Sequence, residues 1–162
     1  MMSTFEREGF KWRETYFVLF EPARRPKLKQ MEHALHKLSK RFQLTGGTAN
    51  ENDAFESLTL LAPDDYAAID ISYVEGEEVT EQAASLTREL KSSALDADEK
   101  AKLARIPKLA GRLDLLHFEQ VTGDGDDDVD EMLDPSALLL VLEALVHLTG
   151  GVGVDPQSGT LI

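Results

Sequence analysis

Seven carboxylates crowd the stretch TGDGDDDVDEMLDP between Asp124 and Asp134, with no cation among them. Oxygen donors at such density could hold a hard divalent cation, so their spacing is decisive. An EF-hand loop places ligands at its first, third and fifth positions, glycine at the sixth for a sharp turn, and a bidentate glutamate at the twelfth. Begun at Asp124, that register brings Val129 to the sixth position and Pro135 to the twelfth. Begun at Asp126, it brings Glu131 and Ala137. Neither is an EF-hand. Asp124, Asp126, Asp128 and Asp130 are the candidate ligands of a less regular, weak cation site, weighed against the plainer expectation that a run of like charge is a solvated, flexible connector.

Histidines and carboxylates elsewhere offer acid–base chemistry. Glu143 and His147 stand four apart in a helical pattern, so they share a face and can pair. His117 lies in a strand-like run between Leu116 and Phe118, and no GxSxG supplies a serine for it to activate. These three residues are the candidate catalytic groups, and a satisfied polar pair on a buried helix is the simpler expectation for the first two. His33 and His36 lie three apart, but no HExxH or other zinc pattern surrounds them, and His33 falls opposite the apolar stripe. Both read as surface histidines.

Arg24, Arg25 and Lys27 cluster where a strand meets a helix, a place suited to a phosphate or carboxylate. The alternative is that they pair with the abundant acidic surface. TGGVGVD, Thr149 to Asp155, has the glycines of a phosphate loop, but it follows a helix instead of opening one and lacks the GK[ST] ending. Its glycines read as a helix stop and a tight entry into a strand.

The elements that would position these groups can be read from periodicity. ETYFVLF, Glu14 to Phe20, is a strand stopped at Pro22. Leu28, Met31, Leu35, Leu38 and Phe42 recur at helical spacing after Pro26, with cations on the other faces. Gly46-Gly47 and the polar run to Asp53 read as a loop. Phe55–Leu61 and Ala68–Val74 are strands, and in the second Ile69, Ile71 and Tyr73 alternate with Asp70 and Ser72, which implies one covered face. A second helix carries Val79, Ala83, Leu86 and Leu90, and Asp96 to Arg105 suits a short extra one. Arg112–Val121 is a fourth strand.

Asp134-Pro135 then caps a third helix, Ser136–Thr149, apolar nearly all round, which belongs between layers of its own fold or at a subunit interface. Val152–Val154 and Thr160–Ile162 flank a turn. The order predicts one α+β domain over 1–162 with an acidic connector at 122–134: a ferredoxin-like β-α-β-β-α-β sheet with helices on one face, plus a C-terminal helix and short hairpin.

Composition narrows the chemistry. The chain has 162 residues and no cysteine, which excludes disulfides, thiolate metal sites and a cysteine nucleophile. No apolar run at the N-terminus suits a secretion signal, and none elsewhere is long enough to span a bilayer, so a cytoplasmic location without membrane partners is expected. The net charge of −13 is unevenly spread: residues 1–41 hold ten Lys or Arg against five Asp or Glu, whereas 42–162 hold seven against 25. Such a field repels nucleic acid over most of the surface and favours basic partners or cations. The basic-and-aromatic pattern of an RNA-recognition motif is absent from RLDLLHFEQV and AAIDISYV.

FKWRETYFVLF, FESLTLLAPDDYAAIDISYVEGEEV, LDPSALLLVLEAL and GGVGVDPQSGTL, taken together, resemble an uncharacterised family of bacterial single-domain proteins. The resemblance spans most of the chain and implies no activity, cofactor or catalytic residue. The expectation is therefore a non-enzymatic protein-interaction or self-associating domain that needs no cofactor. Two other classes stand beside it. One is a hydrolase or transferase using Glu143, His147 or His117 near the arginines, which requires those groups in one cleft. The other is a weak divalent-cation or small-ligand sensor built on the acidic run.

Overall fold

The structure, a computed structural model, describes residues 9–91, 93–120 and 136–162. Its centre is β1, Phe10–Phe20, whose last residues Val18, Leu19 and Phe20 are buried on both sides. A run of β-branched and aromatic residues without polar alternation fits a strand covered on both faces. Pro22 ends it, and α1, Leu28–His36, follows, with Met31 and Leu35 buried. The Gln30 side-chain oxygen accepts from the Lys27 N–H at 2.8 Å, which satisfies a backbone donor at the helix start. The helix is shorter than its periodicity suggests, but Leu38 and Phe42, carried on the turns after it, still pack against the core.

Of the run from Gly46 to Asp53, expected to be a loop, the first four residues instead belong to strand β2, Gln43–Ala49, at one edge of the sheet. Gly46 takes φ of +64° where the pairing with the next strand shifts register, so the glycines make an irregularity within a strand rather than a break. Strands β3, Phe55–Ala62, and β4, Ala67–Glu75, complete a meander. After Gly76 come α2, Glu77–Leu90, and α3, Ala97–Arg105. Asp96 caps α3 by accepting from the Glu99 N–H at 2.8 Å while Glu99 reaches back to the Asp96 N–H at 3.3 Å. The chain ends in β5, Gly111–Gln120; α4, Ser136–Thr149; and the short strands β6, Val152–Asp155, and β7, Thr160–Leu161.

Among the described residues this makes an α+β fold with four helices and a seven-stranded sheet in the order β2-β3-β4-β5-β1-β6-β7, each neighbouring pair antiparallel. The expected ferredoxin-like arrangement would insert the first strand between β4 and β5. Here β4 and β5 pair directly over nine residues, from Ala67 opposite Glu119 to Glu75 opposite Gly111, and β1 lies on the far side of β5.

The helices also divide between the faces instead of sharing one. Met31, Leu35, Leu138, Val141, Leu142 and Leu145 cover the face that carries Val18, Phe20, Ile69, Ile71, Leu113 and Leu115. Val79, Ala83 and Leu103 cover Leu19, Val152 and Val154 on the other. The alternation read in β4 holds, with Ile69 and Ile71 fully buried and Asp70 and Ser72 half-buried on the opposite side. At Gly151 an added Cβ would stand 2.2 Å from the Leu19 carbonyl oxygen, so only glycine admits the close approach between the end of α4 and β1.

Candidate functional site

Helix α4 lies on the outside of its layer, so its leucines divide between two environments. Ala137, Leu138, Val141, Leu142 and Leu145 are buried, spaced as one helical face. Leu139 and Leu140 point outward, 39% and 46% exposed, in line with exposed Glu143 and His147. The helix is thus not buried on most sides as its composition suggested. Leu140 borders a cavity of about 300 Å³ whose other walls include Leu38, Phe42 and Pro63. Arg41 and Asp64 stand at its rim, joined by two hydrogen bonds of 3.1 Å. Exposed His36, Lys37, Lys40 and Arg41 lie at this end of α1 and just after it, whereas exposed Lys29 stands at its other end.

The arginines of the predicted anion site occupy the opposite end of the same helix pair. Arg24 and Arg25 line a second cavity of about 290 Å³ together with Ala23, Pro26, Gln30 and Leu148. Arg25 is held firmly: its Nε and Nη2 donate to the Phe55 carbonyl at 2.9 and 2.7 Å, and its guanidinium lies 4.0 Å over the Tyr73 ring. Arg24 rests against Gly150, where a Cβ would stand 3.3 Å from its Nε, Cζ and Nη2. Arg105 reaches the same residue from the other side and donates to the Gly150 carbonyl. Two cations thus meet the carboxyl end of α4, where the helix dipole favours positive charge. Lys27 is exposed at the start of α1 and is not among the residues that line the cavity. Among the described residues Arg24, Arg25 and Lys27 form no ion pair, and the acidic run at 122–134 lies outside those residues.

The candidate catalytic groups do not converge. His117 is 3% exposed on the sheet face beneath α4, its Nδ1 3.5 Å from Glu14 Oε1 on the neighbouring β1. Glu143 and His147 are exposed on the outer side of that helix, with α4 between them and the sheet. His33 and His36 are also exposed. The four aspartates proposed as cation ligands, Asp124, Asp126, Asp128 and Asp130, lie outside the described residues. Among the described residues no group of three or more His, Asp or Glu is arranged to hold a metal ion.

One buried polar network escaped the sequence reading. Arg112, 6% exposed on β5, donates to Asp114 at 2.5 and 3.2 Å and to Gln82 of α2 at 2.5 Å, reaches Glu78 at 3.3 Å, and lies over the Phe17 ring at 4.9 Å. Burial holds the Asp114 carboxyl above its ordinary range, with Glu78 adding to the effect, although Arg112 pulls the other way through a hydrogen bond and its charge. Asp70 is likewise raised by burial, partly offset by a hydrogen bond from Thr59. Burial raises the Tyr73 hydroxyl, and its 2.7 Å bond to Glu75 holds it protonated. The i, i+2 spacing of Arg112 and Asp114 on one strand face was the only local signal of the network, because its other members lie about thirty residues away.

Comparison with protein-family models, with curated proteins and with solved structures gave no match. Among the described residues no helix is long and apolar enough to cross a membrane.

Proposed function

We propose that this protein is a non-enzymatic interaction domain that docks an acidic polypeptide segment with an apolar anchor on the outer surface of α1 and α4. The observation that carries this is the pairing of exposed Leu139 and Leu140, the second bordering a cavity, with the exposed cations Lys37 and Lys40 that follow α1 in a chain of net charge −13. Exposed leucines gain when a partner covers them, roughly 25 cal/mol for each Å² removed from water. The surrounding cations select the partner's sign and steer its approach. Among the described residues Lys29, Lys37 and Lys40 make no ion pair. A second copy of this acidic chain is one form such a partner takes.

Random-peptide display against the pure protein tests the docking face. Enriched sequences should combine Asp or Glu with one large apolar residue, and Leu140→Ser should abolish their binding while the protein remains folded. Basic or neutral sequences among the winners, or binding indifferent to Leu140→Ser, would sink the proposal. Sedimentation of the unliganded protein then shows whether a second copy fills the same face.

A further inference from the structure

The two cavities lie toward opposite ends of the seam between α1 and α4, which we take as one trough, and their chemistry differs. Leu140 and Leu38 border the first, while Leu148 and Gln30 border the second. Helices α1 and α4 therefore run antiparallel, with Leu38 matched to Leu140 and Gln30 to Leu148. Both intervals are eight residues. Midway along them sit Ala34 and Ala144, both half-buried. One end of the trough has Leu38, Phe42, Pro63 and Leu140 as its apolar part, with Arg41 and Asp64 at its rim. The other presents two guanidinium groups and a side-chain amide, with Ala23, Pro26 and Leu148 as its apolar part.

We infer that the docked segment carries a carboxylate about four residues from its apolar anchor, the anchor seated at Leu140 and the carboxylate held by Arg24 and Arg25. This rests on the docking face proposed above. Eight helical residues rise about 12 Å, and an extended peptide covers about 3.3 Å per residue, so roughly four residues span the trough. The arginine end is suited to an oxyanion because its donors are already placed. Arg25 is fixed by two hydrogen bonds and an aromatic face, and the exposed Arg24 side chain lies beside Gly150. Held in this way, Arg25 loses little freedom on binding, and the exposed Arg24 guanidinium offers paired N–H groups that match a carboxylate. The Gln30 oxygen is occupied by the Lys27 N–H, which directs the remaining hydrogen-bonding capacity of that side chain to donation from its NH2. A chain terminus supplies such a carboxylate most simply, since nothing then has to continue past the arginines.

Four synthetic peptides, titrated into the ¹⁵N-labelled full chain, decide the matter. Each has an acetylated N-terminus and one Phe, followed by a Ser/Gly spacer that places the terminal carboxylate on the second, fourth or seventh residue after it. The last of the four is the fourth-residue peptide with a C-terminal amide. The fourth-residue acid should bind about tenfold more tightly than the other three, the scale of one charge-assisted hydrogen bond. It should shift both the Leu140 amide and the Arg24 Nε–H signals. Arg24→Gln should erase the difference between acid and amide, and Leu140→Ser should weaken all four peptides. Because both residues are exposed, melting curves should show these variants folded. Equal binding of all four peptides, with Leu140 shifting and Arg24 silent, would overturn the spacing and the carboxylate contact yet leave the docking face standing. Failure of the docking face has a different signature: no peptide moves Leu140, and display selects nothing that depends on it.

Discussion

Replacing Arg112 with methionine tests how the layer of α2 and α3 is held to the sheet. Methionine keeps much of the buried bulk while removing the guanidinium that joins Asp114 on β5 to Gln82 and Glu78 on α2. Breaking a buried pair from one side costs about 3–5 kcal/mol, mostly through the charge left behind. Here the figure is lower. The Asp114 side chain is 18% exposed and can recover some solvent, and that of Glu78 is 74% exposed and contributes little. We expect a loss of about 2–4 kcal/mol at neutral pH, which lowers the melting midpoint by roughly 5–15 °C in a chain of this size.

The pH dependence has a definite sign. Burial already raises the folded-state pKa of Asp114 above its ordinary 3.8, and loss of Arg112 raises it further. Between 3.8 and that raised value the folded variant binds more protons than the unfolded chain, so its stability falls as pH climbs through the window. The deficit relative to the parent is full at neutral pH and shrinks as pH drops below 3.8, where Asp114 is neutral in both states. Urea denaturation followed by circular dichroism at pH 7 and in mild acid measures both quantities. Adding Asp114→Asn to the Arg112→Met protein should restore most of the loss at pH 7. A double variant as unstable as the single one, or a deficit independent of pH, would show that lost packing on Phe17 dominates instead of the stranded charge.

Three further outcomes follow from burial and backbone geometry. Gly151→Ala puts a methyl group 2.2 Å from the Leu19 oxygen and 2.9 Å from Phe20 Cβ, so β6 must shift from β1 at a cost of about 3 kcal/mol or more. Gly150→Ala, strained by φ of +66° but opposed only by the movable Arg24 side chain, should cost about 1–2 kcal/mol; equal melting losses for the two would refute the distinction. Leu145→Ala should cost about 2–5 kcal/mol by opening a cavity, whereas Leu140→Ala, at a position 46% exposed, should change stability by less than about 0.5 kcal/mol; similar losses in denaturant titrations would mean that α4 is oriented differently. Asp70→Asn should raise the midpoint at pH 7, because the parent must ionise a half-buried carboxyl. That gain should vanish in acid as Asp70 becomes neutral in both states, and a gain constant with pH would contradict the burial effect.

Local chemistry made most elements legible. Alternation in β4, the stripe of α2, the short helix between Asp96 and Arg105 and the glycine stop after α4 all act within a few residues, and each leaves a pattern in the chain. Strand β2 was hidden because edge pairing tolerates a polar, glycine-broken segment that no propensity marks. The strand order was hidden for a different reason. Whether β5 lies beside β4 or beyond β1 is a choice between non-local pairings, and both keep the same period along each strand. The arginine cluster was visible as sequence neighbours, but its cavity depends on Leu148 and its backing on Gly150, more than a hundred residues away. In α4, a nearly uniform run of leucines gives no phase, so which two face outward is decided only by the sheet beneath.

The two helical layers treat charge in opposite ways, and that contrast favours the α1–α4 surface as the working face. On the α2–α3 side the buried cation Arg112 has two carboxylates, an amide and an aromatic ring around it. Burial without those partners would be costly, so the network is explained by folding alone. On the α1–α4 side Arg24, Arg25, Lys29, Lys37 and Lys40 form no ion pair among the described residues, although acidic side chains outnumber basic ones by 30 to 17 in the chain. Folding does not require that arrangement. Nor does it require Leu139 and Leu140 to face outward, since polar residues there would cost the fold little. Cations that form no ion pair among the described residues and leucines kept exposed on the same helix pair are features that an acidic, apolar partner would use together, and the antiparallel register of the two helices places Leu140 and the two arginines at its separate ends.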